Sequence, residues 1–184
     1  MSYPGQRVQV DVKVVPLACI VPNADGVKEK FFQYTAIDEY SRFRFVAAFK
    51  EQSTYSSVQF LDMLVKAFPF QIECIQTDNG TEFIKEFKEH EKGKMSLFEA
   101  RLKQLGIRHK LIRPYTPRHN GKVERSHRKD NEYFYATHKF YSFEDFAAQL
   151  AIHNRKYNAF PMRPLNWHSP KDYITDFLKD GLLH

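Results

Sequence analysis

Cysteine is almost absent: Cys19 and Cys74 are the only two in 184 residues, so neither a disulfide framework nor a CxxC zinc knuckle is available. Long apolar runs are missing too. The longest, Val14 to Pro22, has nine residues and two prolines, too few to cross a bilayer. The opening Met1-Ser-Tyr-Pro-Gly-Gln-Arg lacks the apolar region of a secretory signal. No repeat, low-complexity tract or shift in composition divides the chain, and His90, His109, His138, His153, His168 and His184 show no metal-ligand spacing. These absences point away from secreted scaffolds and membrane-spanning proteins and toward a soluble, intracellular globular protein. Hydrophobic residues make up 42%, and 17 Phe, 10 Tyr and 1 Trp supply far more apolar surface than a disordered chain carries. At this length, residues 1–184 read as one domain.

Positive charge is concentrated. The chain carries 28 Lys and Arg against 22 Asp and Glu, a net of +6. The segment Arg113 to Lys129, RPYTPRHNGKVERSHRK, holds six of those cations (113, 118, 122, 125, 128 and 129) with Glu124 as its one acid, a net of +5. A near-neutral body with one basic segment suggests a focused polyanion contact. The plain alternative is a solvated helix with an excess of Lys and Arg.

Residues 7–15 alternate, with Val8, Val10, Val12 and Val14 on one parity, which predicts a half-buried strand. Residues 31–40 and 42–50 predict two more strands, joined tightly at Ser41. Ser53 is placed to cap a helix whose apolar face is Val58, Leu61, Leu64, Val65 and Phe68. Residues 72–77 predict a fourth strand ending at Asp78-Asn-Gly80, with a helical stretch after it. The charged run at about 85–96 reads as a surface insertion. Ser96 opens another helix that stops at Gly106, residues 107–112 form a fifth strand, and Asn120 caps a helix to about 138. Further helices begin at Ser142 and at Ser169-Pro170, giving a helical segment over about 142–184. This order predicts a mixed α/β sheet, three antiparallel strands extended by two parallel ones, with helices on both faces.

Three carboxylates stand out. Asp11 lies mid-strand, where a solvent-facing position is the plain reading. Asp78 follows the fourth strand; Asp-Asn-Gly is a common turn, but strand C-terminal edges are where α/β proteins place ligands. Glu124 is either an i,i+4 partner for Arg128 or a carboxylate aimed at the patch that attracts phosphate. Phosphodiester chemistry needs charge neutralisation on phosphate, and two hard cations held by carboxylates about 3.5–4 Å apart supply it.

The stretches VQVDVK, YTAIDEYSRFRFVAAF, IQTDNGTEF and RPYTPRHNGKVERSHR resemble the catalytic core of retroviral-type integrases and insertion-sequence transposases, from about residue 7 to PMRPLNWHSPKDYI. The resemblance implies a ribonuclease-H-like fold. It implies an Asp11, Asp78 and Glu124 triad holding two Mg²⁺ or Mn²⁺ ions, with the two aspartates bridging both and Glu124 completing one shell. It also implies DNA nicking by water, then attack of the freed 3′-hydroxyl on a target phosphodiester, without a covalent enzyme intermediate. The 45 residues between Asp78 and Glu124 exceed the family's usual spacing, and the insertion accounts for the excess. Asp38 is expected to shape the turn between strands two and three, and Glu82 to lie near the metals at most as a neighbour.

Around the triad, Arg113, Tyr115, Arg118, His119, Asn120, Lys122, Arg125, Arg128 and Lys129 are the candidate DNA contacts. If all six cations met phosphate the salt slope would be about −5, and a shallower value is expected because a helix spreads its side chains. His127 reads equally as a neighbour of the site, a DNA contact or an exposed histidine. The expected partners are DNA ends and target, a homodimer or higher multimer on that DNA, and an end-binding helix-turn-helix domain elsewhere in a full-length protein. The expected setting is the bacterial cytoplasm. The alternatives are a ribonuclease-H-like nuclease that does not join, and a non-catalytic domesticated DNA-binding module.

Overall fold

Alternating valines do form the first strand, but helices cover both sheet faces, so the intervening polar positions are also drawn inward. The structure, a computed structural model, describes residues 1–84, 95–112 and 120–181. Most of the expected insertion, and the loop carrying Arg113, Tyr115, Arg118 and His119, lie outside the described residues. The strands are β1 (Val8–Val14), β2 (Phe32–Asp38), β3 (Arg44–Phe49), β4 (Cys74–Thr77) and β5 (Arg108–Leu111). The helices are α1 (Thr54–Ala67), α2 (Leu97–Gln104), α3 (Gly121–Asp130), α4 (Phe143–Ala159) and α5 (Pro170–Gly181). Sheet order is β3-β2-β1-β4-β5, with β1, β2 and β3 antiparallel and β4 and β5 parallel to β1. This is the expected three-plus-two sheet.

One face packs on α1 and α2 through Val8, Val10, Tyr34, Phe60, Leu64, Ile75 and Phe98. The other meets α4 and the chain before it through Val15, Phe31, Val46, Phe134, Phe140 and Phe146. On β1 the alternation holds for Val8 and Val10, both buried, and fails at the far end, where Val14 is 50% exposed. Gln9, on the opposite parity, is buried. In α1 the buried face is Phe60, Leu61 and Leu64; Val65, expected inside, is exposed.

Three serine caps fall where expected. Ser53, Ser96 and Ser142 each accept a backbone N–H from three residues on, and Ser96 with Glu99 completes a capping box. Asp38 does shape its turn: Oδ2 accepts from Ser41 N and Oγ, both at 2.7 Å, while Oδ1 accepts from Gly5 N at 2.9 Å. Gly5 sits at φ +82°, where a β-carbon would lie 1.9 Å from the Gln71 carbonyl oxygen.

Two expectations need correction. Residues 81–84 form a turn, not the start of a helix. The helix expected to run to about 138 ends at Asp130 and continues as one π turn, Asn131–Tyr135. Phe134 and Tyr135, in that turn, are both buried. Among the described residues no helix is long and apolar enough to cross a membrane.

Candidate active site

β1 and β4 run parallel with Val8 opposite Ile75 and Gln9 opposite Gln76. The same register carried two residues further sets Asp11 beside Asp78, at the C-terminal end of β4. Adjacent strands lie about 4.8 Å apart, so the two acids share one point on the sheet. Asp11 Oδ1 accepts from Val12 N at 2.9 Å, and Asp78 Oδ1 accepts from Gly80 N at 3.0 Å. Burial pushes the Asp78 carboxyl above its ordinary value; the Asp11 and Glu82 charges push it further, and the Gly80 N–H opposes them. Glu82 is buried, and its Oε1 accepts from Gln52 Nε2 at 2.7 Å. Two half-buried carboxylates side by side form a hard oxygen donor set whose chemistry fits a divalent cation.

α3 is tied to β1 twice. Gln9 Oε1 accepts from the backbone N–H groups of Lys122 and Val123, each at 3.1 Å, so a side chain from β1 caps the helix. Asn120 was expected to cap it; instead its side chain makes no capping bond, it is 2% exposed, and its Oδ1 has no partner among the described residues. Four residues after Val123, His127 lies over β1 and β2. Its Nδ1 is 3.4 Å from Asp11 Oδ2 and its Nε2 is 3.0 Å from Thr35 Oγ1. Thr35 is the cross-strand partner of Asp11.

Glu124 lies between these two ties, one turn before His127, with its side chain exposed. The structure therefore brings Asp11 and Asp78 together and sets Glu124 on the neighbouring helix. Among the described residues no group of three or more His, Cys, Asp or Glu gathers closely enough to hold a metal.

Of the candidate DNA contacts within the described residues, Arg125, Arg128 and Lys129 are exposed on α3. Lys122 is engaged internally, with Nζ 2.9 Å from the Glu39 carbonyl and 3.4 Å from its Oε2. Burial and the nearby Arg42 charge lower its ammonium pKa, and Glu39 opposes them. Burial raises Glu39, but hydrogen bonds from Arg7 and Gln9 and the Lys122 charge outweigh it and hold that carboxyl below its ordinary range.

A second polar centre lies under the site. Arg44, fully buried, donates through Nη1 to Asp130 Oδ1 at 2.7 Å and to Ser126 Oγ at 2.8 Å, and through Nε to Asn154 Oδ1 at 3.0 Å. Its guanidinium carbon lies 4.0 Å from the centre of the Tyr157 ring. Asp130 also meets Gln33 Nε2 and His153 Nε2, each at 2.8 Å. Burial pushes the Asp130 carboxyl up, but the Arg44 charge and these hydrogen bonds hold it far below the usual carboxylate range. Sequence reading passed over Gln9, Gln33, Thr35, Arg44 and Asp130. One signal was available: Gln9, Asp11, Gln33 and Thr35 sit on strands expected to be covered on both faces, and buried polar groups must find partners there.

The sequence matches the family described as Integrase core domain over residues 2–117, and a second family of the same description over residues 105–170. It is 26% identical over 162 residues to the ORF3 product of Spiroplasma virus SpV1-C74, named as an integrase. That match covers 84% of this chain and 45% of the relative, so the chain spans about half of that protein's length. The fold is similar to the crystal structure of the catalytic core domain of BIV integrase, with TM-score 0.64, 18% identity, and coverage of 96% of this chain and 98% of that one. It is equally similar to the HTLV-2 integrase catalytic core domain in complex with magnesium, in a trimeric form, with TM-score 0.64, 16% identity, and coverage of 94% and 97%. The sheet and its helices are those of the ribonuclease-H-like fold.

Proposed function

The chain belongs to the integrase core domain family, and on that premise we propose that it is the catalytic core of an enzyme that joins DNA in transposition or integration. The observation that carries this reading is the pairing of Asp11 with Asp78 on adjacent parallel strands, beside a helix whose exposed side chains are basic. Asp11 and Asp78 would hold Mg²⁺ or Mn²⁺, two ions per site, with Glu124 as the third carboxylate. When bound, the ions supply Lewis acidity at the scissile phosphate and make water or a 3′-hydroxyl nucleophilic at neutral pH.

The protein's own groups bind and orient. Val12 N and His127 fix the Asp11 carboxylate from two sides. Gly80 N holds Asp78, whose desolvation makes a cation the partner that relieves its charge. The Gln9 cap holds the first turn of α3, the turn that carries Glu124, and fixes that helix against the strand that carries Asp11. Arg125, Arg128 and Lys129 face solvent and serve the DNA backbone, whereas Lys122 is committed to Glu39. Joining two DNA ends calls for a multimer, and end recognition for a further domain of the full-length protein.

The test is incubation of the full-length protein with its DNA ends and a target plasmid, in Mg²⁺ or Mn²⁺. Nicked ends joined covalently to target are expected. Hydrolysis without joined product would move the reading to a nuclease.

A further inference from the structure

We propose that His127 is a positioning residue for Asp11, held in one tautomer by a directed hydrogen-bond chain that begins at the buried Arg44–Asp130 pair. The inference rests on the metal reading of Asp11 and Asp78 for its consequence, but not for the chain itself.

The direction of each link follows from which atoms can donate. Asp130, ionised against Arg44, only accepts, so the group 2.8 Å from its Oδ2 must be the Gln33 amide nitrogen. The opposite end of that amide agrees, since Gln33 Oε1 accepts from the Tyr135 hydroxyl. A flipped Gln33 would set its oxygen against the Asp130 carboxylate. The same amide nitrogen lies 2.9 Å from Thr35 Oγ1, where it donates its second hydrogen. The Thr35 hydroxyl can still donate its own hydrogen or accept a second one, and His127 Nε2 stands 3.0 Å away. With Nε2 accepting, the ring proton resides on Nδ1, the atom 3.4 Å from Asp11 Oδ2.

The Asp11 contact decides between the two directions. Were the proton on Nε2, the Nδ1 lone pair would point at a carboxylate oxygen, a repulsive contact. The links come from four elements: Arg44 on β3, Asp130 and His127 on α3, Gln33 and Thr35 on β2, and Asp11 on β1. Each pair is buried or half-buried. Asn154 and Asn158 of α4 anchor the far end, with their Nδ2 groups 3.2 and 2.7 Å from the Arg44 carbonyl. The carboxylate that meets the metal is thereby oriented by a ring that cannot turn without breaking a buried bond, and such outer partners commonly govern metal affinity.

Two readouts test this. In metal-free protein, ¹⁵N–¹H correlation of the histidine rings should show His127 protonated at Nδ1 and bare at Nε2; a ring protonated at Nε2 overturns the chain. Mn²⁺ affinity, read by electron paramagnetic resonance, should fall about 10-fold in Thr35→Val and His127→Leu, with His127→Asn retaining most of it because an amide N–H remains. Thermal midpoints recorded alongside separate packing from positioning. A purely structural histidine would lower the midpoint and leave the affinity of the folded variants unchanged, which also overturns the proposal. Should His127→Leu fail to fold, the wild-type tautomer and Thr35→Val still decide. Failure of the wild type to bind Mn²⁺ refutes the metal reading, and the metal-free spectrum judges the chain separately.

Discussion

Replacing Asp130 with Asn keeps the side chain's size and removes its charge, leaving the Arg44 guanidinium buried without a counter-ion. The carboxylate meets Arg44 at 2.7 Å, and Gln33 and His153 at 2.8 Å each, with both ion-pair side chains 1% exposed or less. Breaking a buried pair by removing one partner costs about 3–5 kcal/mol, because the surviving charge stays desolvated. For a chain of 184 residues, an unfolding entropy of about 2.1 cal/mol/K per residue turns that loss into a drop of about 8–13 °C in Tm. Acid sensitivity should change as well. The folded pKa of Asp130 is depressed, so its contribution is fully present above the unfolded value of about 4 and is lost as pH falls through the range below it. Lys13, His153, Tyr135 and Tyr157 also face the pair. Urea titrations at stepped pH should therefore show wild-type stability declining more steeply below about pH 4 than that of Asp130→Asn. A variant within about 1 kcal/mol of wild type at pH 7 would mean that Arg44 and Asp130 behave as a surface pair, contrary to their burial.

Asp78→Asn is expected to raise the Tm of the metal-free protein at neutral pH, because its raised pKa means the fold disfavours the ionised carboxyl; calorimetry without divalent ions checks it. Gly80→Ala would set a β-carbon 2.5 Å from Glu82 Oε2, and Glu82 is buried and held by Gln52. The strain should cost about 1–3 kcal/mol in chemical denaturation. Arg128→Ala and Lys129→Ala should each reduce the salt slope of DNA binding by about 0.9, and Lys122→Ala by less, since Lys122 is held by Glu39. Equal slopes for all three would refute the internal assignment of Lys122.

The parts legible in the sequence were those encoded locally. Ser53, Ser96 and Ser142 cap helices that begin at the next residue, and the valine alternation of β1 located a strand. What escaped notice was carried by partners far apart in sequence. Gln9 caps a helix more than a hundred residues on, Arg44 pairs with Asp130 across 86 residues, and His127 meets Thr35 across 92. Residue type gives no periodic mark for such contacts. The misplaced Asn120 cap has the same origin, since α3 takes its capping acceptor from Gln9 on β1. At the candidate site, the strand register sets two of the three acids side by side, while Glu124 reaches the neighbourhood only through the helix that follows.

The proposed role of Asp11 and Asp78 is phosphoryl transfer at one point of the sheet. Its most direct test is the rate at which full-length Asp78→Asn joins a 3′-hydroxyl DNA end to target in Mn²⁺, beside the wild type and with folding verified by circular dichroism. No joined product above background is expected from the variant. Joining at the wild-type rate would contradict that role.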